Sequence, residues 1–241
     1  MNRLLVYMPY GGKDYIAFLE KRFNVEVISN LKKAIPNLVF FTGGADINPI
    51  HYGEQKGDFT SFNDKRDKEE LDLFQYCRAH NIPTLGICRG AQFLCVANGG
   101  KLIQHVTGHA IGGLHGITEL VNDPFNRDIT FNITSTHHQM MYPFQIRKAD
   151  YRIIAHSTKF LSNIYLNGEN ENLSVIKDFL EPEIIHFRRA NSLAIQGHPE
   201  FSHCPKNTVN YCLNLIEKYF NFKIFLKEPK TKSQSLSKAL G

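Results

Sequence analysis

Short apolar runs recur along the N-terminal part of the chain, and the stretches between them carry apolar residues at helical spacing. Leu4–Met8, Val25–Ile28, Leu38–Phe41 and Thr84–Ile87 read as strands, being brief and nearly continuous in apolar character. Lys13–Phe23, Asp67–Asn81 and Ala91–Asn98 read as helices. In the second of these Leu71, Phe74 and Cys77 recur near helical spacing among charges, and the third is stopped by Gly99-Gly100. This alternation predicts an α/β fold: a three-layer sandwich with a mainly parallel central sheet and helices on both faces. Further along, Ile117–Val121, Ile129–Ile133, Ile153–His156 and Ile184–Phe187 look like short strands, and Leu193–Gln196 like a final one. Thr208–Phe220 is an amphipathic helix, with Val209, Cys212, Leu213, Ile216 and Phe220 on or near one face. Between these lies Phe160–Lys177, rich in Asn and Leu, which reads as an insertion. The expected organisation is one domain over residues 1–227 and a polar, basic, flexible tail over 228–241.

Composition narrows the picture. A chain of 241 residues, 42% hydrophobic, fits one large α/β domain with a sizeable core. Five cysteines without paired spacing argue against a disulfide framework and for a reducing compartment. No apolar run approaches the roughly 20 residues that span a bilayer. The opening Met1–Pro9 is interrupted too soon for a signal peptide, so a cytoplasmic location is expected. Much of the net charge of +5 sits late, at Lys223, Lys227, Lys230, Lys232 and Lys238 among Ser, Thr and Pro, and reads as a solvated tail. No nucleic-acid-binding motif and no membrane segment is present in the sequence pattern, so neither partner is expected.

The candidate chemistry lies in two segments, Leu85-Gly86-Ile87-Cys88-Arg89-Gly90 and Gly197-His198-Pro199-Glu200. The first places a thiol between glycines, after a strand and before a helix. Small neighbours permit a strained turn and close approach of a carbonyl group. The helix N-terminus behind the thiol offers unpaired N–H groups and a positive dipole end. The second segment supplies an imidazole two residues before a carboxylate. A Cys, a His to take its proton and an acid to orient the His are the parts of a nucleophilic acyl-transfer site. In a parallel sheet such sites lie at the carboxyl ends of strands, where both Cys88 and Gly43-Gly44 fall. Cys77, Cys95, Cys204 and Cys212 read as small core residues. Adjacent His137 and His138 would point to opposite faces of a strand, so the pair does not chelate one ion. No metal and no cofactor are expected.

These segments, taken in order, resemble the class I glutamine amidotransferase-like superfamily, and within it the peptidase C26 type of γ-glutamyl hydrolase, including γ-glutamyl-γ-aminobutyrate hydrolase. The resemblance rests on Phe41–Pro49 followed by Tyr52-Gly53-Glu54, on Arg66–Leu71, on Gly86–Gln92 and Asn98–Leu102, on Ser135–Gln139 and on Gln196–Glu200. It implies a flavodoxin-like sheet and a Cys88, His198, Glu200 triad. It also implies an oxyanion hole from the backbone N–H groups of Gly44 and Arg89, with Gly43, Gln92, His137, His138 and Gln139 binding substrate. Asp46 or Glu54 would meet a cationic amine, while Arg66 and Asp67 read as a helix N-terminal ion pair or cap.

The implied reaction is hydrolysis of the γ-glutamyl amide bond of a small conjugate through a γ-glutamyl thioester. One alternative is a glutaminase subunit that releases ammonia from glutamine for a separate synthetase or ligase. Another is a non-catalytic binding member of the fold. A homodimer is left open. The chain departs from the pattern where an Asp-Gly-x-x-Glu segment is expected: Phe179–Phe187 matches only at Glu183. The stretch Gly108–Gly116 is also unexpectedly rich in His and Gly.

Overall fold

The N-terminal apolar runs become one side of a nine-stranded sheet in the computed structural model of the protein, which describes residues 2–120, 129–173 and 179–227. In chain order the N-terminal half supplies β1 (Leu4–Tyr7), α1 (Lys13–Glu20), β2 (Val25–Ile28), β3 (Leu38–Phe41), α2 (Asp64–Ala79), β4 (Thr84–Ile87) and α3 (Arg89–Ala97). The remainder supplies β5 (Lys101–Ile103), β6 (His105–Val106), β7 (Gly113–Glu119), β8 (Ile129–Ser135) and β9 (Met140–Tyr142). These are followed by β10 (Tyr151–Ser157), β11 (Tyr165–Leu166), β12 (Pro182–Phe187), β13 (Ser192–Ile195) and α4 (Lys206–Phe220).

The sheet order is β2-β1-β3-β4-β13-β12-β10-β7-β8. The first five strands pair in parallel and the remaining pairings are antiparallel. Only β12 and β7 are reversed, so seven of the nine strands share one direction and the sheet is mainly parallel. Strand alternation divides the side chains between two cores. Leu4, Val6, Phe40, Leu193 and Ile195 face α1 and α4, whereas Val39, Phe41, Ile185 and Ala194 face α2 and α3. The three layers follow from that division.

β2, β3 and β4 have the bounds expected from sequence; β3 and β4 are central strands buried on both faces, which read as continuous apolar runs. The strands of the antiparallel half run longer than expected, and the pairs β5–β9 and β6–β11 were not foreseen. β11 gives part of the proposed insertion a place beside β6. Val121, residues 174–177 of the insertion and the tail 228–241 lie outside the described residues.

One expectation is corrected at α2. The helix starts at Asp64, and the Asn63 side chain caps it by accepting from the Arg66 N–H at 3.1 Å. Arg66 and Asp67 are therefore not the cap; both turn inward. Cys77, Cys95, Cys204 and Cys212 are buried free thiols, as core residues would be.

Phe93 on α3 lies at the centre of the α2–α3 layer, with its ring 4.7 Å from that of Phe41 and 6.2 Å from that of Phe74. Phe93→Ala is expected to lower the unfolding free energy by about 3–5 kcal/mol. Urea denaturation followed by circular dichroism checks this, and a loss below ~1 kcal/mol would contradict the packing described.

Candidate functional site

β3, β4 and β13 lie side by side in parallel register and deliver three segments to one end of the sheet. After β4 the chain turns at Cys88 with φ 54° and ψ −114°, a conformation that side chains with a Cβ rarely adopt, and passes directly into α3. The turn is possible because Gly90 has no Cβ: one there would collide with the Phe41 carbonyl of the neighbouring strand. After β13 comes His198, whose Nδ1 lies 2.7 Å from Glu200 Oε1. Its Nε2 lies 2.8 Å from the Thr136 hydroxyl and faces Cys88. The sequence-predicted Cys88, His198 and Glu200 are thus brought together.

Burial alone would push the His198 pKa down. Its hydrogen bonds to Cys88 and Glu200, and the negative charge each carries when ionised, more than offset this and raise it to about 10.

The loop after β3 forms the opposite wall. Gly43 packs its Cα against the cleft while its N–H donates to the Tyr15 hydroxyl at 3.1 Å. Gly44 has φ +146°, and an added Cβ would fall on the Arg66 guanidinium. Among the described residues, neither the Gly44 nor the Arg89 N–H donates to another protein group. Both residues line a cleft of about 230 Å³ together with Cys88 and His198.

A buried charge network fixes this loop. Arg89, 1% exposed, pairs through its guanidinium with Asp67 and Glu70, and its Nε donates to the Ala45 carbonyl at 3.1 Å. Arg66 binds Glu70 at 2.9 Å and donates to the carbonyls of Gly43 and Thr42 at 3.0 and 2.9 Å. Asp67 also accepts from the Asn48 N–H at 2.8 Å. Burial draws the Arg89 pKa down to about 10, with the Arg66 charge acting in the same direction and Asp67 opposing. Arg89 therefore remains charged at neutral pH.

The predicted substrate-binding residues divide. Gln92, His137 and His138 border the cleft, as Gly43 does. The Gln92 amide nevertheless donates to the Gln139 carbonyl at 3.1 Å, and Gln139 itself is fully buried with its amide donating to Thr60 at 3.0 Å. Gln139 is therefore turned away from the cleft. His138 is half-exposed and pairs with Asp46 at 3.2 Å, which raises its pKa, while Asp46 also accepts from the Ser61 N–H. Asp46 borders the cleft, but Glu54 does not. It pairs with Lys101 beside a separate cavity of about 240 Å³ lined by Tyr142, Tyr165 and Phe179, which none of Cys88, His198 and Glu200 borders.

Tyr15, Thr136 and Phe201 border the cleft without having been singled out, the last stacking on the His198 ring at 4.3 Å. His137 is buried. It meets His109, His115 and Glu183, a grouping that the adjacency of His137 and His138 does not foretell.

A thiol at a strained strand-to-helix turn, beside a His–carboxylate pair at the end of a parallel sheet, defines the class I glutamine amidotransferase-like superfamily. A Thermoplasma acidophilum protein, provisionally named for GMP synthase, matches over 99% of each chain with TM-score 0.58 at 15% identity, a likeness of fold. The peptidase C26 family model matches residues 17–159, and the chain belongs to that family. The glutamine amidotransferase-like protein YvdE of Lactococcus lactis is 36% identical over 103 residues, covering 42% of each chain. The carbamoyl phosphate synthase small chain of Buchnera aphidicola is 30% identical over 149 residues, covering 61% of this chain and 32% of that one. The chain spans less than half the length of the curated relatives it matches. Among the described residues, no helix is long and apolar enough to cross a membrane.

Two outcomes follow from the electrostatics. The His198 imidazole is expected to titrate near 10 by NMR, and Glu200→Gln to lower it, with Cys88 still holding it above the ordinary value of ~6.5. Because the folded-state pKa is raised, the stability it confers is full below ~6.5 and is lost as pH rises through about 10. A wild-type titration near 6.5 would contradict this. Glu70→Gln leaves Arg66 and Arg89 short of a buried partner and is expected to cost about 3–5 kcal/mol in chemical denaturation. A loss within ~0.5 kcal/mol of wild type would mean that the network relaxes freely.

Proposed function

We propose that the protein is a cysteine-dependent amidohydrolase that cleaves the γ-glutamyl amide bond of a small γ-glutamyl conjugate, in the manner of γ-glutamyl-γ-aminobutyrate hydrolases. The observation that carries this reading is the convergence, in one cleft, of Cys88 in its strained turn, the His198–Glu200 pair and two unengaged backbone donors.

In this reading the Cys88 sulfur, its proton taken by His198, attacks the side-chain amide carbon. The C–N bond breaks as His198 returns that proton to the departing amine, leaving a γ-glutamyl thioester. Water then attacks the thioester carbon, His198 accepts its proton, and glutamate and the thiol are released. Glu200 holds the imidazole by its Nδ1 and stabilises the imidazolium. The N–H groups of Gly44 and Arg89 receive the oxyanion of each tetrahedral intermediate. Gln92 and His138 are candidates for the glutamyl portion. Asp46, held by His138 at the cleft edge, is the candidate for a cationic leaving amine.

A second reading has its own support. The relatives and structural neighbours include proteins named for carbamoyl phosphate synthase and GMP synthase, which points to glutamine as substrate and a synthetase as partner. A purely binding role gives no reason for the assembled Cys, His and Glu.

Glutamate release from free glutamine and from a panel of γ-glutamyl amines, beside a Cys88→Ala control, separates these readings. The hydrolase reading expects one conjugate to be turned over well above glutamine, and Cys88→Ala to lower turnover on the order of 10⁶-fold. Glutamine preferred over every conjugate would favour the ammonia-supplying reading. Release that survives Cys88→Ala would sink the thioester mechanism. Gly44→Ala, which disturbs one proposed oxyanion donor, is expected to cost roughly 10²–10³-fold in kcat with little change in KM.

A further inference from the structure

Beneath the cleft, three segments converge on Glu183, which is the second residue of β12 and is fully buried. His109 comes from the loop after β6, His115 from β7, and His137 from the segment after β8. His109 Nδ1, His115 Nε2 and His137 Nε2 lie 3.4, 3.3 and 3.7 Å from Glu183 Oε1. One ligand atom from each of the four residues lies within 4.8 Å of all the others. Despite these distances, among the described residues none of the three nitrogens and neither Glu183 oxygen has a hydrogen-bond partner. Five buried polar atoms left in that condition require an explanation, since each carries the desolvation cost of an unmade hydrogen bond.

The opposite side of each imidazole supplies one. His109 Nε2 lies 3.2 Å from Glu181 Oε2, His137 Nδ1 lies 2.8 Å from the Gln139 carbonyl, and His115 Nδ1 lies 3.2 Å from the Gly116 carbonyl. Carboxylate and carbonyl oxygens only accept, so each of these ring nitrogens carries the proton and donates. In the neutral imidazoles the nitrogens turned towards Glu183 are then lone pairs. Three lone pairs and a carboxylate oxygen facing one another repel unless a cation lies between them. Outer N–H groups anchored on carboxylate or carbonyl oxygen are also the arrangement that orients metal-bound histidines.

We propose that His109, His115, His137 and Glu183 bind one divalent ion of the zinc class. Tetrahedral coordination at about 2.0–2.1 Å places ligand atoms about 3.3–3.4 Å apart; the nitrogen-to-Oε1 separations of 3.4 and 3.3 Å match this, and the 3.7 Å of His137 and the nitrogen pairs, within 4.8 Å, need a small inward shift. Imidazole nitrogens with a single carboxylate suit zinc, cobalt or nickel and not calcium or magnesium, which take oxygen ligands. Charge also balances: the ion's two positive charges meet the carboxylates of Glu183 and Glu181, the latter held by the Tyr165 hydroxyl and the N–H groups of Leu161 and Ser162. With four protein ligands the site is closed, and its effect is to position the segment that carries Thr136 against His198 Nε2.

The test uses the full chain, stripped of metal by unfolding in chelator and refolded, then titrated with Co²⁺. If the stripped chain does not refold, Co²⁺ is supplied during refolding and stoichiometry is read after desalting. The expected result is one Co²⁺ per chain with the intense visible bands of a tetrahedral site, displaced by Zn²⁺. Binding should fall at least tenfold in His115→Gln and in Glu183→Gln, and should be unchanged in His203→Gln, which alters an exposed histidine. Should the first two variants fail to fold, His115→Cys retains a ligand and should add a thiolate-to-cobalt charge-transfer band. The proposal is overturned by a folded wild-type chain that binds less than a tenth of an equivalent. A weak octahedral spectrum, binding that persists in His115→Gln, or a folded His115→Cys without the new band would overturn it equally.

Discussion

Arg89 carries a positive charge into the interior directly behind the Cys88 turn, and the carboxylates that neutralise it come from one face of α2. A charge so placed is tolerated only when its partners are held in position, so the first turn of α3, the body of α2 and the loop after β3 form one rigid unit. Arg66 extends the unit by binding the carbonyls of Thr42 and Gly43, which fixes the direction of the next N–H, that of Gly44. Arg89 thus offers its backbone N–H to the cleft and uses its side chain to hold the facing wall. The distance between the two unengaged donors is therefore set by ionic contacts out of reach of solvent screening.

The sheet contributes a second constraint. Its parallel half aligns the ends of β3, β4 and β13, while its antiparallel half brings the starts of β7 and β12 and the end of β8 to the same edge. This explains how His115, Glu183 and His137, distant in sequence, come to lie under a cleft whose Cys88 and His198 belong to the parallel half. Thr136 is the point of contact between the two halves at the His198 ring.

Much of this arrangement is legible in the residues themselves, for identifiable reasons. Leu38–Phe41 and Thr84–Ile87 announce central strands because burial on both faces leaves no polar position to interrupt them. Cys88 stands out through its flanking glycines, and His198 and Glu200 through their two-residue spacing. β7 is harder to read, since Gly113, His115 and Gly116 break the apolar pattern. β5, β6, β9 and β11 span only two or three residues, too few for any periodicity to register. Tyr15 gives no local sign of its role, because it reaches Gly43 through the packing of α1 on β3. The His- and Gly-rich stretch from 108 to 116 is visible as an oddity, but its link to Glu183 exists only once β7 and β12 are folded against a shared neighbour, β10.

In the proposed thioester mechanism the Thr136 hydroxyl has a consequence for the lifetime of the acylated state. A sulfur bonded to an acyl carbon is a poor hydrogen-bond acceptor, so an imidazole that relied on Cys88 alone would lose its partner on the Nε2 side at that stage. With Thr136 already within 2.8 Å, the ring has a resting place that does not depend on the state of the sulfur. It keeps its orientation while one small molecule leaves and another arrives, and Glu200 need not release it in between. On that proposal the idle interval of the cycle is held as firmly as the reactive ones.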